Sequence, residues 1–160
     1  MVTQLPNSLN NRLKRVPLIW GTLTVFSMLL PLMTLLTPPA TNSSERSSVL
    51  LPVFLGMGVM MMATSLFVRF VILSENKLKQ FALTKLKGLA KEEALERLFK
   101  HWMVLNIIAW ALNDSVANLG AVAAQISGSA TIGTGFTAVA LVLNLFMYPK
   151  FHKAAKYAAL

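Results

Sequence analysis

The chain has no cysteine and few acids: six Asp and Glu among 160 residues, against 15 Lys and Arg. Without cysteine there is no disulfide framework, no thiolate metal site and no thiol nucleophile. Only two histidines occur, His101 and His152, too few for a histidine metal set, so no metal site is expected. Charged residues make up 13% of the chain, about half the share of a soluble domain. A hydrophobic content of 55% excludes a disordered chain. The same scarcity of charge argues against a nucleic-acid-binding domain, in spite of a net charge of +9. No phosphate-binding loop, haem pair or catalytic constellation is found, so neither an enzyme nor a cofactor is expected.

What the chain does have is long apolar runs. About 20 predominantly apolar residues span a bilayer, and four segments approach or exceed that length: residues 18–37, 49–73, 102–125 and 132–148. Pro17 opens the first and Pro38 and Pro39 close it, and Pro149 closes the last, as helix punctuation predicts. The first run is too long for a signal-peptide core and reads as an uncleaved span. The expected fold is an all-α membrane protein, with four transmembrane helices in two antiparallel hairpins (17–149). It is preceded by an N-terminal segment (1–16) and followed by a basic tail (150–160).

The cations orient this bundle. Fourteen of the 15 fall on one side: Arg12, Lys14 and Arg15, the seven between Lys77 and Lys100, Lys150, Lys153 and Lys156, with Arg69 just inside the second span. Arg46 alone lies opposite. The excess of Lys and Arg marks the cytoplasmic side, so both termini and the link 74–101 are expected there, in a bacterial inner membrane. Arg12, Lys14, Arg15, Arg69, Lys150 and Lys153 are read as lipid-headgroup and topology residues. Trp20, Trp102 and Tyr148 fall at the same boundary.

Residues 75–100 carry apolar side chains at steps of three and four, the period of a helix face. Gly88 follows Lys85 and Lys87, a helix-stop pattern, and Glu92, Glu93 and Glu96 suit the opening turns of a second helix. Spans two and three are therefore expected to extend into the cytoplasm and turn near Gly88. Leu78, Phe81, Leu95, Leu98 and Phe99 offer a face for docking a partner.

Asp114 is the one carboxylate deep inside a span. An ionised Asp at mid-bilayer costs about 2.5–3.5 kcal/mol, so it must face the bundle interior, be neutral, or find a partner. Asn113, Ser115 and Asn118 surround it. Ala117, Gly120, Ala121 and Ala124 line the third span with small residues, and Gly133, Thr137, Ala140 and Asn144 do so on the fourth. Such stripes let helices approach closely. Counted from the basic ends, Asp114 is expected to face Thr137, and Asn106 to face Asn144.

The stretch Ala111-Leu112-Asn113-Asp114-Ser115-Val116-Ala117-Asn118-Leu119-Gly120 resembles the carboxylate helix of the ring-forming proteolipid subunits of rotary ATPases. That helix has Ala-Leu two residues before the acid and Gly six residues after it. The resemblance implies that Asp114 binds a proton or cation. Double-length members of that family have four spans, but carry the acid in the fourth rather than the third. In overall shape the chain is also similar to small four-span bacterial membrane proteins.

Two functions are consistent with these residues. The first is a non-enzymatic membrane subunit of a larger complex, held by the small and polar faces of spans three and four and by the cytoplasmic hairpin. The second is a proton- or cation-binding ring or channel component using Asp114, with Asn113, Ser115, Asn118 and Thr137 as further ligands. Expected partners are membrane lipids and either further copies of the chain or other membrane subunits.

Overall fold

A computed structural model describes residues 7–36 and 44–155, all of whose regular structure is helical. Thr37, the loop 38–43, Lys156 and the side chains of Arg46 and Lys153 lie outside the described residues. In order come α1 (Asn7–Leu36), α2 (Ser44–Phe67), a π-helical segment (Val68–Ile72), α3 (Glu75–Lys85), α4 (Lys91–Ser127), α5 (Ala130–Phe146) and α6 (Phe151–Ala155). Among the described residues three stretches are long and apolar enough to cross a membrane: Leu9–Met33, Leu50–Ile72 and the 37-residue Lys91–Ser127. The fourth apolar helix, α5, has 17 residues and rises about 25 Å.

The first helix starts ten residues before Pro17, which lies inside it. Pro17 removes one backbone donor, yet the turns before it are anchored by packing. Leu9 and Val16 are buried, and Arg12 pairs with Glu96 of α4 at 3.1 Å. The second span ends where the sequence places it, but it does not run on into the link. The Leu73 N–H donates to the Val68 carbonyl at 2.9 Å, the wide turn of a π-helix. Ser74 then starts a separate helix, its hydroxyl accepting from the Lys77 N–H at 3.4 Å. The reversal near Gly88 is present, with that residue at φ +84°, a conformation open to glycine. Only α4 runs unbroken from the charged link through the third span.

Two cores form, and their chemistry differs. The larger one lies at the basic end. It joins the start of α1, the π segment, α3, the first half of α4 and α6 around Leu95, Leu98, Trp102 and Phe151. Phe151 meets Phe99 edge-on at 5.2 Å and Trp102 at 5.1 Å. The smaller core joins Val116, Ala117 and Ala140, with Met61, Met62 and Phe136 packed against them. Large apolar side chains cluster where water would drive burial. Small residues dominate where lipid would leave only close packing to hold helices together.

Leu78, Leu95, Leu98 and Phe99 are all buried in the larger core. Phe81 stacks face-on against His101 at 4.0 Å. The docking face expected on these five residues is thus taken up by the chain's own packing: α1 and α6 return to cover what a two-helix hairpin alone would leave open. The basic tail is correspondingly helical over Phe151–Ala155.

Candidate functional site at the centre of the bundle

A chain of side-chain hydrogen bonds crosses the middle of the bundle and touches every long helix. The Ser65 hydroxyl of α2 donates to Asn113 Oδ1 at 2.7 Å, with the Ala109 carbonyl also in reach at 3.1 Å. Asn113 Nδ2 donates to Asn144 Oδ1 of α5 at 2.8 Å. Asn144 Nδ2 donates in turn to Asp114 Oδ1 at 3.2 Å. Ser27 of α1 is the second side-chain partner of the Asp114 carboxylate. Its hydroxyl donates to the Thr24 carbonyl at 2.8 Å. Ser65, Asn113 and Asn144 are fully enclosed, whereas Asp114 is half-buried.

From Ser65 through Asn113 and Asn144 each donor points the same way, towards the carboxylate. Aligned hydrogen bonds polarise one another, so Asp114 is the acceptor terminus of a dipolar row. Among the described residues no buried side-chain nitrogen or oxygen lacks a partner. Met147 completes the enclosure, its sulfur 3.3 Å from Asn113 Nδ2 and 3.5 Å from the Ser65 hydroxyl.

The registry of α4 against α5 differs from that counted from the basic ends. Asp114 meets Asn144, seven residues beyond Thr137, a displacement of about 10 Å along the helix. The cause is the turn. Helix α4 runs on to Ser127, Gly128 closes it in the left-handed conformation at φ +66°, and α5 starts at Ala130. So short a reversal pins the two helices at their far ends, and the shorter α5 stops well before α4 does. Thr137 instead donates to its own helix at the Gly133 carbonyl (2.8 Å). Ser115 does likewise at Ala111 (2.8 Å), and Asn118 is exposed. These three do not join Asp114. Asn106 is enclosed but donates to the Trp102 carbonyl at 2.8 Å, not to Asn144.

The small-residue stripes form the α4–α5 seam. A Cβ built on Gly120 would stand 2.1 Å from Phe136 Cβ, and one on Gly133 would stand 2.9 Å from Ala124 Cβ. Ala117, Ala121 and Ala140 are wholly enclosed. These residues serve contacts within the chain.

Three participants escaped the reading of the sequence, Ser27, Ser65 and Trp110, and Trp20 entered it only as a boundary aromatic. The serines are lone hydroxyls in apolar spans, the signal that could have found them. The tryptophans solve a problem created by α5 ending early. Backbone N–H groups of Met147 and Tyr148 reach the Leu143 and Leu145 carbonyls, but helix ends leave further carbonyls without helical donors, and Pro149 offers none. The Trp20 indole donates to the Asn144 carbonyl at 3.0 Å, and that of Trp110 to the Met147 carbonyl at 3.3 Å. Trp20 also packs edge-on against Tyr148 at 5.1 Å, while Trp102 belongs to the basic-end core. Arg12 is ion-paired as described above, Lys14, Arg15 and Lys150 are exposed, and Arg69 is half-buried. Among the described residues no three His, Asp or Glu side chains gather as a metal set.

By length and composition the helices define the class, a multi-pass helical membrane protein. No family model, curated protein or solved structure matches the chain.

Proposed function

We propose that the chain is a non-enzymatic, four-span membrane subunit that works by association within a larger membrane assembly. Its termini and the α3 hairpin would lie on the cytoplasmic side of a bacterial inner membrane. The observation carrying this reading is the polarity of the central hydrogen-bond chain. A cation site needs oxygens converging as acceptors, but the side-chain row through Asn113 and Asn144 ends on Asp114 with an amide N–H donor. That arrangement suits a lock between helices. The clustering of the basic segments supports a common side, since α1 meets α4 through Arg12 and Glu96, and α6 meets α4 through Phe151 and Phe99.

With the seam residues of α4 and α5 engaged internally, association falls to the outward face of α5. Thr131, Gly135, Ala138 and Val142 recur there at helical spacing and are exposed, and a Cβ on Gly135 would meet nothing within 4 Å. A second helix could approach closely along this face, from another copy or a different subunit.

The second reading is a proton- or cation-binding ring component. It is favoured by the open side of the half-buried Asp114 carboxylate and by the resemblance of residues 111–120 to proteolipids. Asp114→Asn separates the two. Asparagine keeps the acceptor oxygen for Asn144, so the lock reading expects a stability change below about 1 kcal/mol. It also expects unchanged stoichiometry in native mass spectrometry and unchanged proton leak in proteoliposomes. Loss of a proton or cation conductance in the variant would replace the subunit reading with the second.

A further inference from the structure

At the basic end, a cavity of about 330 Å³ opens between the π segment, the N-terminus of α3, α4 and the segment leading into α6. Its lining includes Arg69, Ser74, Glu75, Leu78, Trp102 and Lys150. Three features make it more than a gap. Arg69 and Lys150, 81 positions apart in the sequence, reach the same space; neither takes part in an ion pair among the described residues. Trp102 is 3% exposed. Its large ring forms part of the cavity wall. Finally, the cavity is lined by the π turn itself, an irregularity that often marks functional positions in helices. Arg69 sits within that turn.

We propose that this cavity binds the phosphodiester of an anionic lipid headgroup. The guanidinium of Arg69 supplies planar paired donors suited to phosphate oxygens, Lys150 supplies a second cation, and Trp102 a rigid aromatic wall. The apolar side chains of Phe70 and Leu73 complete the lining, next to the place where acyl chains would begin. This inference rests on the membrane reading above.

The test uses the full chain in mild detergent, with lipid retention read by native mass spectrometry during titration. The probes are phosphatidylglycerol, phosphatidylcholine and the soluble deacylated headgroup glycerophosphoglycerol. Phosphatidylglycerol should be retained about tenfold better than phosphatidylcholine, and Arg69→Gln should lose about tenfold of that retention, as expected for a charge-assisted phosphate contact. Lys150→Gln should weaken it in the same direction and decides the matter if the Arg69 variant does not fold, because Lys150 is exposed. Lys87→Gln, at the α3–α4 turn and outside the cavity lining, should change nothing. Equal loss with Lys87→Gln, or no preference for phosphatidylglycerol, would overturn the site. Equally tight binding of the soluble headgroup would overturn the lipid as its source. Carbonate-resistant insertion into pure phosphatidylcholine vesicles is read alongside: insertion without lipid preference defeats only the site, and failure to insert defeats the membrane reading itself.

Discussion

Replacing Asn144 with leucine strikes the central hydrogen-bond chain at the link between Asn113 and Asp114. The side chain is wholly enclosed, and it both accepts from Asn113 (2.8 Å) and donates to Asp114 (3.2 Å). Leucine removes both bonds at once. Bonds between helices inside a membrane average about 0.6 kcal/mol and reach about 1.7. The larger cost comes from the partners left behind, at about 1–3 kcal/mol for each buried group that loses its match. Asn113 keeps a weak contact to the Met147 sulfur, and Asp114 keeps Ser27, so neither cost is paid in full. The expected destabilisation is about 3 kcal/mol. Unfolding in mixed micelles by titrated dodecyl sulfate, followed by tryptophan fluorescence and circular dichroism, measures it. Asn118→Leu is the matched control: the same chemical change on an exposed side chain of the neighbouring helix α4, expected within about 0.5 kcal/mol of the parent. A double-mutant cycle with Asn113→Leu should return a coupling of about 1 kcal/mol. If Asn144→Leu falls within 0.5 kcal/mol of the Asn118 control, the chain is not what holds the four helices together.

Other outcomes follow from the same geometry. Gly120→Ala should cost about 3 kcal/mol, because its Cβ meets Phe136 at the immobile Cβ end and the helices must part. Gly58→Ala presses on the movable edge of the same ring (2.5 Å) and should cost less. Gly135→Ala, meeting nothing, should gain up to about 1 kcal/mol of helix propensity; any other order in the micelle titration contradicts the seam. Leu98→Ala should lose about 3 kcal/mol in the basic-end core, against little for the exposed Val104→Ala, by the same titration. Trp110→Phe should speed amide exchange at the end of α5 and in the segment that follows, read by deuterium uptake, since the Met147 carbonyl loses its only side-chain donor among the described residues.

Much of the architecture follows from local patterns. The apolar runs mark the spans because their length matches a bilayer. The reversal at Gly88 could be placed because a glycine there follows a basic last turn, and the second reversal because spans three and four leave only 126–131 between them. Asp114 and its asparagine neighbours stood out because polar groups are costly in an apolar helix. What these patterns could not convey was which side chains meet. A helix repeats every 3.6 residues along its whole length, so two antiparallel helices can be slid by whole turns without disturbing either pattern. The two-residue reversal at Gly128 and the wedging of Phe136 against Gly120 select one registry, and that registry pairs Asp114 with Asn144 instead of Thr137. The same holds at the basic end. The sequence showed an apolar face on the hairpin, but only the return of α1 and α6 over it decides that the face is interior. The residue chemistry is thus determined position by position along the chain. Whether a polar group becomes a lock, a ligand or a surface depends on distances between helices far apart in sequence, which packing alone sets.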